Sequence, residues 1–210
     1  MSKEKSQIDR FRTRAETAID VASFVSSAVP WIGGPVSNVL SGISAGRKMA
    51  RVHETIEGLV SDLKEFKSEA AEAYVKTDEF EELLEHTLRK AADDRNEDKR
   101  QVYRAFLTDA VKSLGDSYDE QIRCLRILEE LQVDHLKVLR ALMDEPARNQ
   151  SSLGLQFPSL QMRLAEMQRD HIRDLVSQLN NMGVTNIVEK GQILSLTPFG
   201  QRLIRFIVHD

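Results

Sequence analysis

The side chains best suited to proton transfer or metal ligation near neutral pH are five histidines: His53, His86, His135, His171 and His209. No two of them stand four apart on one helix face, the spacing that metal-binding histidine pairs use. The single cysteine, Cys124, has no second thiol with which to complete a zinc set. His86 stands beside Glu82 and Glu85, a pattern that reads as a solvated, salt-bridged helix face. Gly33-Gly34-Pro35 lacks the Gly-Lys-Ser/Thr that would let a glycine-rich loop hold phosphates, and there is no Gly-x-Ser-x-Gly elbow for a nucleophile. The acid-rich run from Asp78 to Glu85 suits the positive end of a helix dipole. The expectation is a protein with no catalytic residues, no metal site and no cofactor, and hence not an enzyme.

The chemistry that does stand out is apolar. Val21 to Gly46 carries no charged residue or histidine, in a chain that is 30% charged. At its centre lies Pro30-Trp31-Ile32-Gly33-Gly34-Pro35, which a continuous helix does not accommodate, because proline lacks the amide donor and clashes with the preceding turn. The expected structure is an αα-hairpin, one helix ending near Val29 and the next starting at Pro35, a favoured first-turn residue. Pro30, Trp31, Ile32, Gly33 and Gly34 would form its tip, offered to a partner or a membrane, since an indole favours the lipid–water boundary. Gly34, Asn38, Gly42 and Gly46 recur at four-residue steps. The last three would let another helix backbone approach closely.

With 210 residues and 41% hydrophobic content, the chain is long enough to bury a substantial core. Its net charge of −4 gives no global attraction to nucleic acid or anionic membranes. The lone cysteine is expected to be a core thiol in a reducing setting. The charged first twenty residues do not read as a secretory leader. Six serines, four glycines and two prolines break Val21 to Gly46 as a membrane span. A cytoplasmic protein follows as the expectation, with peripheral attachment to a membrane left open.

Apolar spacing predicts mainly α structure: an N-terminal helical bundle over residues 1–132 and a C-terminal winged-helix domain over 133–210. Ser2 to Ala28 reads as the first helix, and Pro35 to about Tyr74 as one long helix. A third is expected from Asp78, with Glu81 completing a capping box, and a fourth after the charged connection Asp93-Asp94-Arg95-Asn96, stopping at Gly115. Ser117 with Glu120 opens the fifth through another capping box. In the last third come a helix capped by Asp134, a loop to Phe157, and a short helix over Leu160 to Met167. A helix from Arg169 to Met182 is then ended by Gly183. Strands over Val184–Val188 and Gln192–Leu196, turning at Lys190-Gly191, precede a final helix from Thr197-Pro198. Helix, helix-turn-helix, β-hairpin is the order of a winged helix.

Such a fold reads DNA only if its second helix presents positive charge to the groove. The candidate contacts are Arg169, His171, Arg173 and Lys190. Asp170 and Asp174 sit among them, and residues Val133 to Asp210 hold nine Lys/Arg against eight Asp/Glu. Charge does not favour DNA, and a protein partner or self-association is the preferred expectation, with a DNA-binding regulator as the alternative.

The order of these pieces resembles the bacterial abortive-infection alpha family. The likeness is carried by the apolar segment with Ile32-Gly33-Gly34-Pro35, by YRAFLTDAV (Tyr103–Val111), by LRILEELQVDHLKVLRAL (Leu125–Leu142), and by LVSQLNNMGV with LSLTPFGQRL. The second phrase departs from the family pattern in lacking a tryptophan and a strict Leu-Leu-Ala-Asn run. The resemblance implies a non-enzymatic role in phage defence and brings no catalytic residues with it.

Overall fold

The computed structural model describes residues 23, 25, 28–42, 47–66, 68–114, 116–143, 155–188 and 193–207. Of these, 75% are helical, in ten helices, and the remainder includes a small three-stranded antiparallel sheet. The chain divides into two compact units, Met1–Leu125 and Arg126–Asp210. The boundary between them lies within the helix Tyr118–Glu130.

The first unit contains α1 (Gly33–Gly42), α2 (Arg47–Leu63), α3 (Glu69–Tyr74), α4 (Asp78–Asp93), α5 (Glu97–Ser113) and the start of α6 (Tyr118–Glu130). The expected helix over residues 2–28 lies mostly outside the described residues. The expected long helix from Pro35 to Tyr74 is interrupted after Leu63 and restarts at Glu69. Residues 43–46 lie outside the description, and α2 ends at Leu63. Ser68 then starts α3 by accepting the amide of Ala71 on its hydroxyl, 3.3 Å away. That cap satisfies one of the donors every helix start leaves open, so the chain turns there without proline or glycine. Phe66 packs against the core from this break.

Helix α2 is the axis of the unit. Its stripe of Val52, Ile56, Leu59 and Leu63 is at most 1% exposed and faces α4 and α5. On the α5 side, Glu54 meets Arg100 at 2.9 Å, and Asp62 forms an ion pair with the Arg104 guanidinium and accepts from the Thr108 hydroxyl, both at 3.1 Å. The rising numbers on both sides show that α2 and α5 run parallel. On the α4 side, Arg51 donates to the Ala92 carbonyl at 2.7 Å, and Lys48 pairs with Asp93. Positive charge thereby meets the open carbonyls at the negative end of α4. The Lys48 ammonium holds the Asp93 carboxyl below its ordinary range.

Thr77, not Asp78, caps α4: its hydroxyl accepts the Phe80 amide at 3.3 Å. Glu81 is thereby released from the expected capping box and accepts Asn38 Nδ2 of α1 at 3.0 Å. Asn96 caps α5, and Ser117 and Glu120 form the expected capping box at α6, each backbone amide held by the other's side chain. Helix α5 ends with Leu114 at φ 42°, a left-handed conformation that costs an L-residue roughly 1–2 kcal/mol. Leu114 is 38% exposed, so more than half of its surface is covered. Leu114→Gly relieves that strain but gives up the apolar area that Leu114 covers, so it is expected to change stability by no more than about 1 kcal/mol, read from the denaturation midpoint.

The second unit follows the order α7 (Val133–Met143), β1 (Leu155–Gln156), α8 (Phe157–Arg163), α9 (Arg169–Asn181), β2 (Thr185–Val188), β3 (Ile193–Leu196) and α10 (Pro198–Ile204). This order is compatible with the winged-helix arrangement expected from the sequence. Strand β1 was not expected, since two residues carry no readable alternation. It joins the sheet in the order β1-β3-β2, with Leu155 opposite Leu194 on the strand that also places Ile187 opposite Leu194. The expected turn at Lys190-Gly191 lies outside the described residues. Gly183, at φ 73°, ends α9 as expected.

The start of α10 locks the hairpin to α9. Thr197 caps α10 by accepting the Gly200 amide at 2.9 Å, and its hydroxyl donates to the Gly183 carbonyl at 2.7 Å. Its own amide donates to the Val184 carbonyl at 3.0 Å. One threonine thus joins helix start, strand entry and the stop of α9, which accounts for the phrase LTPFGQRL.

Candidate functional site

The hairpin turn is closed by its own backbone. The Val29 amide donates to Val25, Ile32 to Val29, and Gly33 to Pro30, after which Val36 donates to Ile32 in the first α1 turn. Helix α1 begins at Gly33, two residues before the expected Pro35, and Pro35 sits within its first turn.

The turn does not present the expected five-residue tip. Ile32 is 0% exposed and Gly33 is buried, whereas Pro30 and Gly34 are exposed and Trp31 is half-buried against the core. Val25, Val29, Val36, Val39 and Leu40 join Ile32 in the same apolar cluster as Val52, Ile56 and Phe80. The physical reason is the direction of the turn. Ile32 continues the inward row that Val36 and Val39 extend along α1, so the bend that frees Pro30 also drives Ile32 inward. The described apolar residues Val25, Val29, Ile32, Val36, Val39 and Leu40 of the uncharged stretch are therefore core, and Trp31 is the large apolar side chain at their margin.

Among the expected close-packing positions, Asn38 is exposed and spends its amide on Glu81, tying α1 to the first turns of α4. Gly42 is the last described residue of α1, and Gly46 lies outside the described residues. Asn38 meets Glu81 near the start of α4, and Lys48 meets Asp93 at its end. The chain thus travels along α4 from start to end, which puts the hairpin turn at the end that carries Asp78 and Glu79. Tyr118 stands beside the same helix, its phenol pushed up to about 12 by burial and by its bond to Glu82.

The candidate DNA contacts are scattered in their engagements. Arg169, His171 and Arg173 are all exposed on α9. His171 bonds Asp134 of α7 at 3.1 Å, and the Arg173 guanidinium lies over the Phe157 ring at 5.4 Å. Asp170 and Asp174 are exposed between them, so the face is mixed rather than basic. Lys190 lies outside the described residues. Asp134 accepts from Lys137 at 2.9 Å as well, and these two partners hold its carboxyl below the ordinary carboxylate range.

Sequence reasoning missed the polar contacts that join elements: Asn38 with Glu81, Tyr74 with Gln121 at 2.6 Å, and His135 with Gln178 at 2.9 Å. Helical periodicity assigns residues to faces, and only the tertiary fold says which faces meet. Among the described residues no group of three or more His, Cys, Asp and Glu is arranged to hold a metal ion, and no helix is long and apolar enough to cross a membrane. Comparison with family models, with curated proteins and with solved structures returns no match to this chain.

Proposed function

We propose that this chain is a non-enzymatic interaction protein that docks through its N-terminal hairpin turn onto an apolar surface, a second copy of itself or a membrane. The observation that carries the reading is the half-buried Trp31, beside exposed Pro30 and near exposed Gly34, at the margin of the apolar cluster that Val29, Ile32 and Val36 join. An indole there adds a large apolar contact with a polar edge, the combination that interfaces and lipid headgroups both favour. Because Ile32 is already in the core, docking uses the outer rim of the turn rather than insertion of the whole tip. The resemblance to the abortive-infection alpha family supports a phage-defence setting, and the order of elements in Arg126–Asp210 supports a winged-helix module serving as scaffold. A DNA-reading role is the weaker proposal, since His171 and Arg173 are engaged by Asp134 and Phe157 on a face that also exposes Asp170 and Asp174.

The test is Trp31→Ala, assayed by co-sedimentation with phospholipid vesicles and by sedimentation equilibrium for self-association. The variant is expected to lose at least tenfold in whichever association the wild type shows, with helical content unchanged. Truncating a central aromatic anchor costs an interface about 2 kcal/mol or more, which sets that scale. Equal association of the two proteins would remove the turn as the docking element.

A further inference from the structure

The turn that carries Trp31 has no charge of its own, and the helix it rests on surrounds it with charge of one sign. Helix α1 packs along α4, with Asn38 on Glu81, so the turn stands at the N-terminal end of α4. From Glu69 to Glu82 the chain carries Glu69, Glu72, Asp78, Glu79, Glu81 and Glu82 against one cation, Lys76. Asp78, Glu79 and Glu82 are exposed. The cations of α4, Arg89 and Lys90, stand toward its opposite end.

Two further elements converge on the same end. Tyr74, which like Trp31 packs on the core from its margin, meets the Phe80 ring edge to face at 5.3 Å. Its hydroxyl donates to Gln121 of α6 at 2.6 Å. Tyr118 at the start of α6 bonds Glu82, and Asp119 follows it in the same first turn. Burial, and after it the Glu79 carboxylate, pushes the Tyr74 phenol up, and Glu79 acts on Tyr118 as well. The negative field therefore reaches across α3, α4 and α6. A helix start supplies roughly half an elementary charge of the opposite sign. Four carboxylates within Asp78–Glu82 exceed it, and the rim around the indole stays net negative.

We propose that the partner of the Trp31 turn is a basic amphipathic protein segment, its apolar side on the indole rim and its Lys/Arg side on Asp78, Glu79 and their neighbours. The assignment rests on the docking role of the turn. Charge decides among the surfaces that could cover the indole. An anionic bilayer meets these carboxylates with like charge. A second copy in a two-fold contact brings the same acids against themselves. A segment with Lys and Arg along one side is attracted instead, and its cations can also lie over the indole face.

The experiment titrates the full chain with a tryptophan-free amphipathic Leu/Lys peptide, with its Leu/Glu counterpart, and with vesicles of phosphatidylcholine or phosphatidylglycerol. Trp31 emission reports coverage of the rim, and calorimetry gives the affinity. The Leu/Lys peptide is expected to shift the emission to shorter wavelength. Its binding should weaken at least about tenfold between about 0.05 M and about 0.5 M salt, since screening shortens the reach of exposed charges. Asp78→Asn combined with Glu79→Gln is expected to weaken it by about tenfold, and Trp31→Ala by at least as much. Equal affinity for the two peptides, or binding indifferent to salt, overturns the proposal. Should the double variant fail to fold, these two comparisons on the wild type decide. An emission shift seen only with vesicles, or only at raised protein concentration, leaves docking through the turn standing and overturns the basic partner. Constant emission in every titration removes both.

Discussion

Ile32→Asp is expected to unfold the unit Met1–Leu125 rather than to weaken docking alone. Ile32 is 0% exposed, and it shares its cluster with Val36, Ile56, Leu59 and Phe80. The substitution forfeits about 2–3 kcal/mol of apolar burial and leaves a carboxylate to be buried without a designed partner, at several kcal/mol more. A domain holds only about 5–15 kcal/mol in total, so the sum removes most or all of the margin. Thermal unfolding followed by circular dichroism checks it, the expected outcome being loss of much of the helical signal at 25 °C. Gly34 supplies the control within the same turn. It is exposed, and a Cβ built there meets nothing within 4 Å, so Gly34→Ala is expected to keep the fold and to stabilise it by up to about 1 kcal/mol. A folded Ile32→Asp protein with wild-type stability would mean that the turn is not seated in the core as described.

The second large effect belongs to Gly200. A Cβ at this position would lie 2.0 Å from the Val184 carbonyl oxygen and 3.0 Å from its carbon. Those are backbone atoms, and Val184 O is already held by the Thr197 amide at 3.0 Å and by its hydroxyl at 3.2 Å. Gly200→Ala can be accommodated only by moving the first turn of α10 off the strand entry, which breaks the Thr197 contacts as well. Overpacking with loss of buried hydrogen bonds amounts to about 3 kcal/mol or more. The expected reading is a fall in the melting midpoint of roughly 10 °C or more. A midpoint within about 2 °C of wild type would show that α10 does not sit on Val184 in this way.

These two positions show what was legible in the sequence and what was not. The TPFG phrase marked the helix restart correctly, because Thr197 and Pro198 are local signals whose meaning depends on the chain immediately around them. The Ser117–Glu120 capping box and the stop at Gly183 were legible for the same reason. Thr77 and Asp78 are adjacent residues that both suit a cap, and the choice between them was made by tertiary contact, since Glu81 is needed by Asn38. The break after Leu63 has no proline or glycine to announce it and rests on Ser68 and on Phe66 finding the core. The Pro30–Pro35 run marked the turn but left open which side of it faces inward. Ile32 and Trp31 are neighbours of similar hydrophobicity, and only packing distinguishes the buried one from the one at the margin. Strand β1 exists because β3 offers it an edge, a condition that a two-residue segment cannot signal.

The most direct test of docking through this turn is the emission of Trp31, the only tryptophan in the chain. Its spectrum and its quenching by acrylamide would be recorded along two titrations, one of phospholipid vesicles and one of the protein itself. A half-buried indole that becomes covered should shift its emission to shorter wavelength and lose quenching in at least one titration, in step with sedimentation. Emission and quenching that stay constant through both titrations would contradict docking at Trp31 and return Val21 to Gly46 to a purely structural role.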